Sequence, residues 1–171
     1  MERWEVGGTT WPHGTASKSL DAFLHHPLAV IAPNIMDDSG EAVRWVCNTH
    51  IPGATEFSFM VRPGLDHCIN YWTPALKWME RRGIEPQTRQ NAVMSIKHRE
   101  IYHVDIVGER KGGLCLILMY CPPTPRPDWA PTMLEHARRV KAVCKEQYAL
   151  EPEVALLRLS ASGRSVRGQF V

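Results

Sequence analysis

His103 and Asp105 stand two apart in the run Ile101-Tyr102-His103-Val104-Asp105-Ile106, which has strand-like character. Alternate residues of a strand share a face, so this spacing sets an imidazole beside a carboxylate. A carboxylate that orients an imidazole is half of a nucleophile-activating arrangement. Cys115 or Cys121, on the apolar run 114–121, would supply the nucleophile of a small hydrolase-like enzyme. Polar pairs at this spacing also occur on ordinary half-exposed strands, and no G-x-S-x-G elbow accompanies this one. Asp105, Glu109 and Lys111 imitate part of the acidic-acidic-lysine set of metal-dependent nucleases. Glu109 and Lys111 fall in a turn, however, where the presenting strand is missing.

Cys47, His50, His67 and Cys68 are four zinc-type ligands within a short stretch. Cys-x2-His is an accepted zinc spacing, whereas adjacent His67-Cys68 ligands are unusual, and a buried free cysteine is a common core residue. No metal is therefore expected. The segment 14–19 leads into a helix with Gly14, Lys18 and Ser19, but three residues between Gly14 and Lys18 break the phosphate-loop spacing. No cofactor is expected.

The broadest candidate surface is basic. Arg138, Lys141 and Lys145 recur on one side of a predicted helix, and Lys77, Arg81 and Arg82 do so on an earlier one. If both helices lie on one face of a sheet, these six side chains form a stripe able to neutralise phosphates. The bland reading is two wet helix faces, with Glu135 and Glu146 among the cations.

The elements that must hold these residues follow from periodicity. Leu65, Ile69, Trp72, Leu76 and Met79 form a helical stripe, and Pro74 within it predicts a kink or a start near Thr73. Arg81-Arg82-Gly83 is a fitting stop, with cations at the carbonyl end and glycine for a left-handed cap. Trp72, Leu76 and Met79 are expected to bury against Leu116 and Leu118, or against the strand 57–61. A second helix is predicted over 132–148, opened by a Thr132-x-x-Glu135 capping box and burying Met133, Ala137, Val140, Cys144 and Tyr148. Strands are predicted at 3–6, 28–32, 42–49, 57–61, 93–96, 99–107, 114–121, 154–159 and 166–171, with 7–19 read as a loop into a short helix. On 99–107, Tyr102, Val104 and Ile106 should share one face. The run 114–121 is apolar on both sides, which places it centrally in a covered sheet.

The predicted fold is α+β: a single compact domain with a mixed or antiparallel sheet and two long amphipathic helices. Residues 1–40 form an N-terminal strand and short-helix segment, 41–97 a first ββαβ half, and 98–171 a second half plus a final strand. Gly83-Ile84-Glu85-Pro86 and Ala149-Leu150-Glu151-Pro152 follow the two helices alike, which raises an internal duplication.

At 171 residues, with 44% apolar and 22% charged side chains, the chain can bury one real core. No run approaches the length of a membrane span, and Met1-Glu2-Arg3-Trp4-Glu5 lacks the features of a secretory signal. Five cysteines without regular spacing fit reduced thiols, no disulfides and a cytoplasmic setting. The net charge of +2 conceals an acidic 1–66, with four Lys/Arg against eight Asp/Glu, and a basic 67–171, with sixteen against ten. Because no motif converges on one chemistry, the expected function is a non-enzymatic binding or assembly protein that self-associates. A nucleic-acid binder and a His103/Asp105 enzyme are the alternatives, so enzymatic activity stays open.

Overall fold

A computed structural model describes residues 3–6, 9–12, 18–26, 30–31, 58–59, 71–122, 129–162 and 164–171. In chain order the elements are β1 (Arg3–Val6), β2 (Thr9–Pro12), α1 (Lys18–Leu24), β3 (Val30–Ile31), β4 (Ser58–Phe59) and α2 (Trp72–Arg81). They continue as β5 (Ile84–Ser95), β6 (Glu100–Arg110), β7 (Gly113–Tyr120), α3 (Trp129–Tyr148), β8 (Glu153–Leu159) and β9 (Val166–Phe170). The larger sheet runs β3-β5-β6-β7-β8-β9, with β4 paired to β6. β7 and β8 are parallel, and the pairs β5–β6, β6–β7 and β8–β9 are antiparallel. The fold is therefore α+β with a mixed sheet. Among the described residues no helix is long and apolar enough to cross a membrane.

The β6–β7 hairpin closes through Lys111 and Gly112, with φ of 53° and 73°. Positive φ at both central residues is what a type I′ turn needs, and that turn matches the twist of the strands. β7 has Leu114, Leu116, Leu118 and Tyr120 on one side and Cys115, Ile117, Met119 and Cys121 on the other, all buried. α1 and α3 cover the first side with Leu20, Phe23, Met133, Ala137, Val140 and Tyr148. α2 covers the second with Ala75, Leu76, Trp78 and Met79. The predicted stripe of α3 is thus buried as expected, and β7 is covered on both faces.

Several expectations are corrected. The two helices lie on opposite faces, so Leu76 and Met79 meet Ile117 and Met119 rather than Leu116 and Leu118. Among the described residues only α3, at 20 residues, is long; α2 has 10 and α1 has 7. α3 begins at Trp129, upstream of Thr132, because Pro131 is tolerated in a first helical turn where its missing N–H has no acceptor. Thr132 is therefore inside the helix and is not its cap. α2 begins at Trp72, which likewise leaves Pro74 in the first turn. β5 starts at Ile84, nine residues ahead of the predicted 93, and Ile96 lies beyond its end, exposed. Its polar stretch has no strand period and is held by the ladder to β6, with an irregularity between Pro86 and Thr88. Thr9–Pro12 pairs with Arg3–Val6 although the region reads as a loop; only Gly7-Gly8 separates them, a recognised hairpin dipeptide.

The alternation on β6 also slips. Tyr102, Val104 and Val107 join the α1/α3 side while Ile106 joins the α2 side. The ladder to β7 extends only from Arg110 back to Ile106. Just beyond it, the Asp105 carboxylate accepts the backbone N–H of Met119 at 2.7 Å, taking the place of a ladder partner.

The two helix exits are locally alike. Gly83 and Ala149 both adopt positive φ, 67° and 54°, and Leu150 N–H donates to the Cys144 carbonyl oxygen in a Schellman-type closure. The strands around them are not arranged alike. β8 returns parallel beside β7, whereas β4 is parallel and β5 antiparallel to β6. In chain order β6, β7, α3 and β8 follow one another within 98–171. The strand predicted at 42–49 lies outside the described residues, as do Leu65 and Ile69.

Candidate functional site

Of the residues marked for catalysis, Cys115 stands apart from His103 and Asp105. His103 and Asp105 are buried on β6, at 6% and 7% exposure, and Asp105 is engaged in holding β7. Cys115 stands opposite Gly108. That is three residues along β6 from Asp105, or about 10 Å at the rise of a strand. Burial first, and the Glu153 carboxylate second, push the Cys115 thiol up to about 12. Cys121 is fully buried in the α2-side core. Glu109 lies on β6, one residue before its end at Arg110, rather than in the turn, where Lys111 is exposed. Ser19 accepts the backbone N–H of Leu114 at 3.0 Å, which ties α1 to β7. Cys47, His50, His67 and Cys68 lie outside the described residues. Among the described residues no three His, Cys, Asp or Glu side chains gather to hold a metal.

The cysteines that are described are free: Cys115, Cys121 and Cys144. Burial raises Cys144 to about 12 as well. A thiol that is harder to ionise when folded binds more protons in the folded state above the unfolded thiol pKa of about 8.5. Its contribution is therefore lost as pH rises from about 8.5 towards 12. We expect these thiols to react with a disulfide reagent at pH 8 far more slowly in the native protein than after denaturation, when all five should titrate. Fast native reaction at Cys115 and Cys144 would contradict the buried assignment.

The basic side chains are divided between the two faces of the sheet. Lys77, Arg81 and Arg82 belong to α2 and its C-cap; Arg138, Lys141 and Lys145 belong to α3. The single stripe that the sequence allowed is not formed, because α2 and α3 have the sheet between them. Most of these cations also have local partners. Arg138 lies 3.9 Å from Glu135, Lys145 lies 3.6 Å from Glu151, and the Lys141 ammonium donates to the Val171 carbonyl oxygen at 2.8 Å. Arg82 lies 3.9 Å over the Trp78 ring.

Among the described residues β9 is the last strand of the larger sheet, and among them it pairs only with β8, from Leu159↔Val166 to Ala155↔Phe170. Val171 N–H donates to the Val154 carbonyl oxygen and Ser160 N–H to that of Ser165. Inward and outward residues alternate in an antiparallel ladder, so the N–H and C=O groups of Val166, Gly168 and Phe170 point to the free edge. The strand is firmly seated. Trp78 lies against Gly168, its ring is 5.7 Å from that of Phe170, and Arg110 caps Phe170 at 4.5 Å while pairing with Glu153 at 2.7 Å.

No protein-family model and no curated protein matches this chain. The site rests on its own geometry.

On the α3 side of β9 a second feature appears that periodicity does not reveal. Tyr120 pairs with Arg158, and Arg158 with Arg167, so these three form a row across β7, β8 and β9. They line a cleft of about 270 Å³ with Ala130, Leu156 and Gln169. The only advance signal is Arg158, a lone charge inside the apolar strand Val154-Ala155-Leu156-Leu157-Arg158-Leu159. Its neighbours come from registers that no local pattern specifies.

Proposed function

We propose that this chain is a non-enzymatic binding and assembly protein that joins a second copy of itself through β9. The observation that carries the reading is the open edge: β9 has one strand neighbour among the described residues and a free row of backbone donors and acceptors. Such an edge pairs with another strand unless charge, proline or a bulge blocks it. Here only Arg167 is charged, and Phe170 remains 39% exposed beside the edge. An antiparallel two-fold centred on Gly168 sets Val166 opposite Phe170 of the second copy and Arg167 opposite its Gln169. Apolar meets apolar, and the arginine meets an amide rather than a like charge. The docking of β9 by Trp78 and Arg110 supports the reading, since a seated strand loses little further freedom on pairing.

Sedimentation equilibrium tests it. The protein should be dimeric at micromolar concentration, and the double change V166K/F170K, which puts like charges opposite each other at both ends of the pairing, should give monomers. A strictly monomeric parent, or a dimer untouched by the double change, would overturn this assignment.

A further inference from the structure

We propose that the cleft between β9 and the start of α3 is a phosphate-binding site, formed by Arg158, Arg167 and Tyr120, that takes the phosphoryl head of a small phosphate ester. The first observation is the arginine pair. Arg158 and Arg167 are direct cross-strand partners, and like charges placed so are destabilising. Among the described residues neither meets a carboxylate, although Glu135, Glu151 and Glu153 pair with other cations nearby in the fold. The local cost of the pair is offset when an anion sits between the two guanidiniums.

The second observation is independent. Tyr120 is only 3% exposed and lines the cleft. A phenol hydroxyl can donate to an anion held in the cleft. Burial raises its pKa while the neighbouring Arg158 opposes the rise. The Gln169 amide adds a further donor at the rim, and among the described residues no carboxylate lines the cleft. Ala130 and Leu156 supply apolar wall.

The chemistry selects among anions. A carboxylate carries one charge and would leave one guanidinium uncompensated, whereas a phosphate monoester carries close to two near neutral pH. Arginine forks bind phosphate oxygens bidentately, and two forks with a hydroxyl suit a tetrahedral dianion. At about 270 Å³ the cleft lies below the usual span of roughly 300–1,000 Å³ for whole-ligand pockets. It suits the phosphoryl head and a few atoms beyond it. This inference does not depend on pairing of β9, because the cleft lies on the α3 side of the strand and the pairing groups lie in the plane of the sheet.

Titration calorimetry at pH 8 and constant chloride-adjusted ionic strength, using inorganic phosphate and methyl phosphate, provides the test. We expect saturable binding of one probe molecule per chain. R158Q and R167Q should each weaken it about tenfold or more, the loss expected for one charge-assisted hydrogen-bonded contact, and the double variant should abolish it. Y120F should weaken binding by a smaller factor, and R138Q, a paired arginine elsewhere on α3, should leave it unchanged. Tighter binding of methyl phosphate than of inorganic phosphate assigns the site to esters, and equal binding assigns it to the free ion. Thermal melts without phosphate separate binding from folding: R167Q should melt no lower than the parent, since it removes a like-charge pair. No saturable heat in the parent, or binding by the double variant equal to the parent's, would overturn the proposal.

Discussion

Leu116→Ala and Ile117→Ala are each expected to lower the free energy of unfolding by about 2–5 kcal/mol, although the two residues are adjacent and face opposite ways. Both side chains are fully buried. Leu116 sits in the core under α1 and α3, and Ile117 in the core under α2. On a strand covered on one face only, one of the two changes would be nearly silent. Leu76→Ala, on α2, should cost a similar amount because Leu76 shares the core of Ile117. Combined with Leu116→Ala its effect should add within about 0.5 kcal/mol, as for residues without common neighbours. Combined with Ile117→Ala it should depart from additivity, because the two truncations open onto shared space. Urea denaturation of the three single and two double variants measures all of this. A cost below about 0.5 kcal/mol for either β7 residue would refute the two-sided sheet.

Gly168→Ala is expected to destabilise the protein by about 1–3 kcal/mol, the range for overpacking. In a strand, replacing glycine by alanine ordinarily gains about 0.5–1 kcal/mol through the unfolded chain. The sign reverses here because of Trp78. A methyl group built at Gly168 would lie 2.3 Å from Trp78 Cε2 and 2.5 Å from Nε1. The indole cannot easily retreat, since it is buried at 4% exposure between Arg82 and Phe170. A double-mutant cycle isolates the cause. Trp78→Leu alone loses buried aromatic surface, but in that background Gly168→Ala should become neutral or stabilising. An equal penalty in both backgrounds would mean that the glycine is required for another reason. Because the clash lies beneath β9, Gly168→Ala should also weaken dimerisation in the sedimentation experiment.

Local chemistry was enough to determine much of this protein. The heptad-like spacing of Met133, Ala137, Val140, Cys144 and Tyr148 specified the buried side of α3. Gly83 marked the end of α2 because a left-handed cap favours a residue without Cβ. The unbroken apolar run of β7 announced a central, doubly covered strand. These features depend on contacts within a few residues, or on composition alone. Tertiary structure decided the rest. The face of the sheet taken by α2 is a matter of handedness and connection, so two amphipathic helices that look equivalent in sequence ended on opposite sides and their cations were separated. The polar half of β5 is a strand because β6 supplies its ladder, and Asp105 accepts the Met119 N–H because the β6–β7 ladder ends beside it. Arg158, Arg167 and Tyr120 are neighbours only through the parallel register of β7 with β8 and the antiparallel register of β8 with β9. Register follows from how α3 returns the chain across the sheet, a long-range geometry that leaves no trace in the spacing of these three residues.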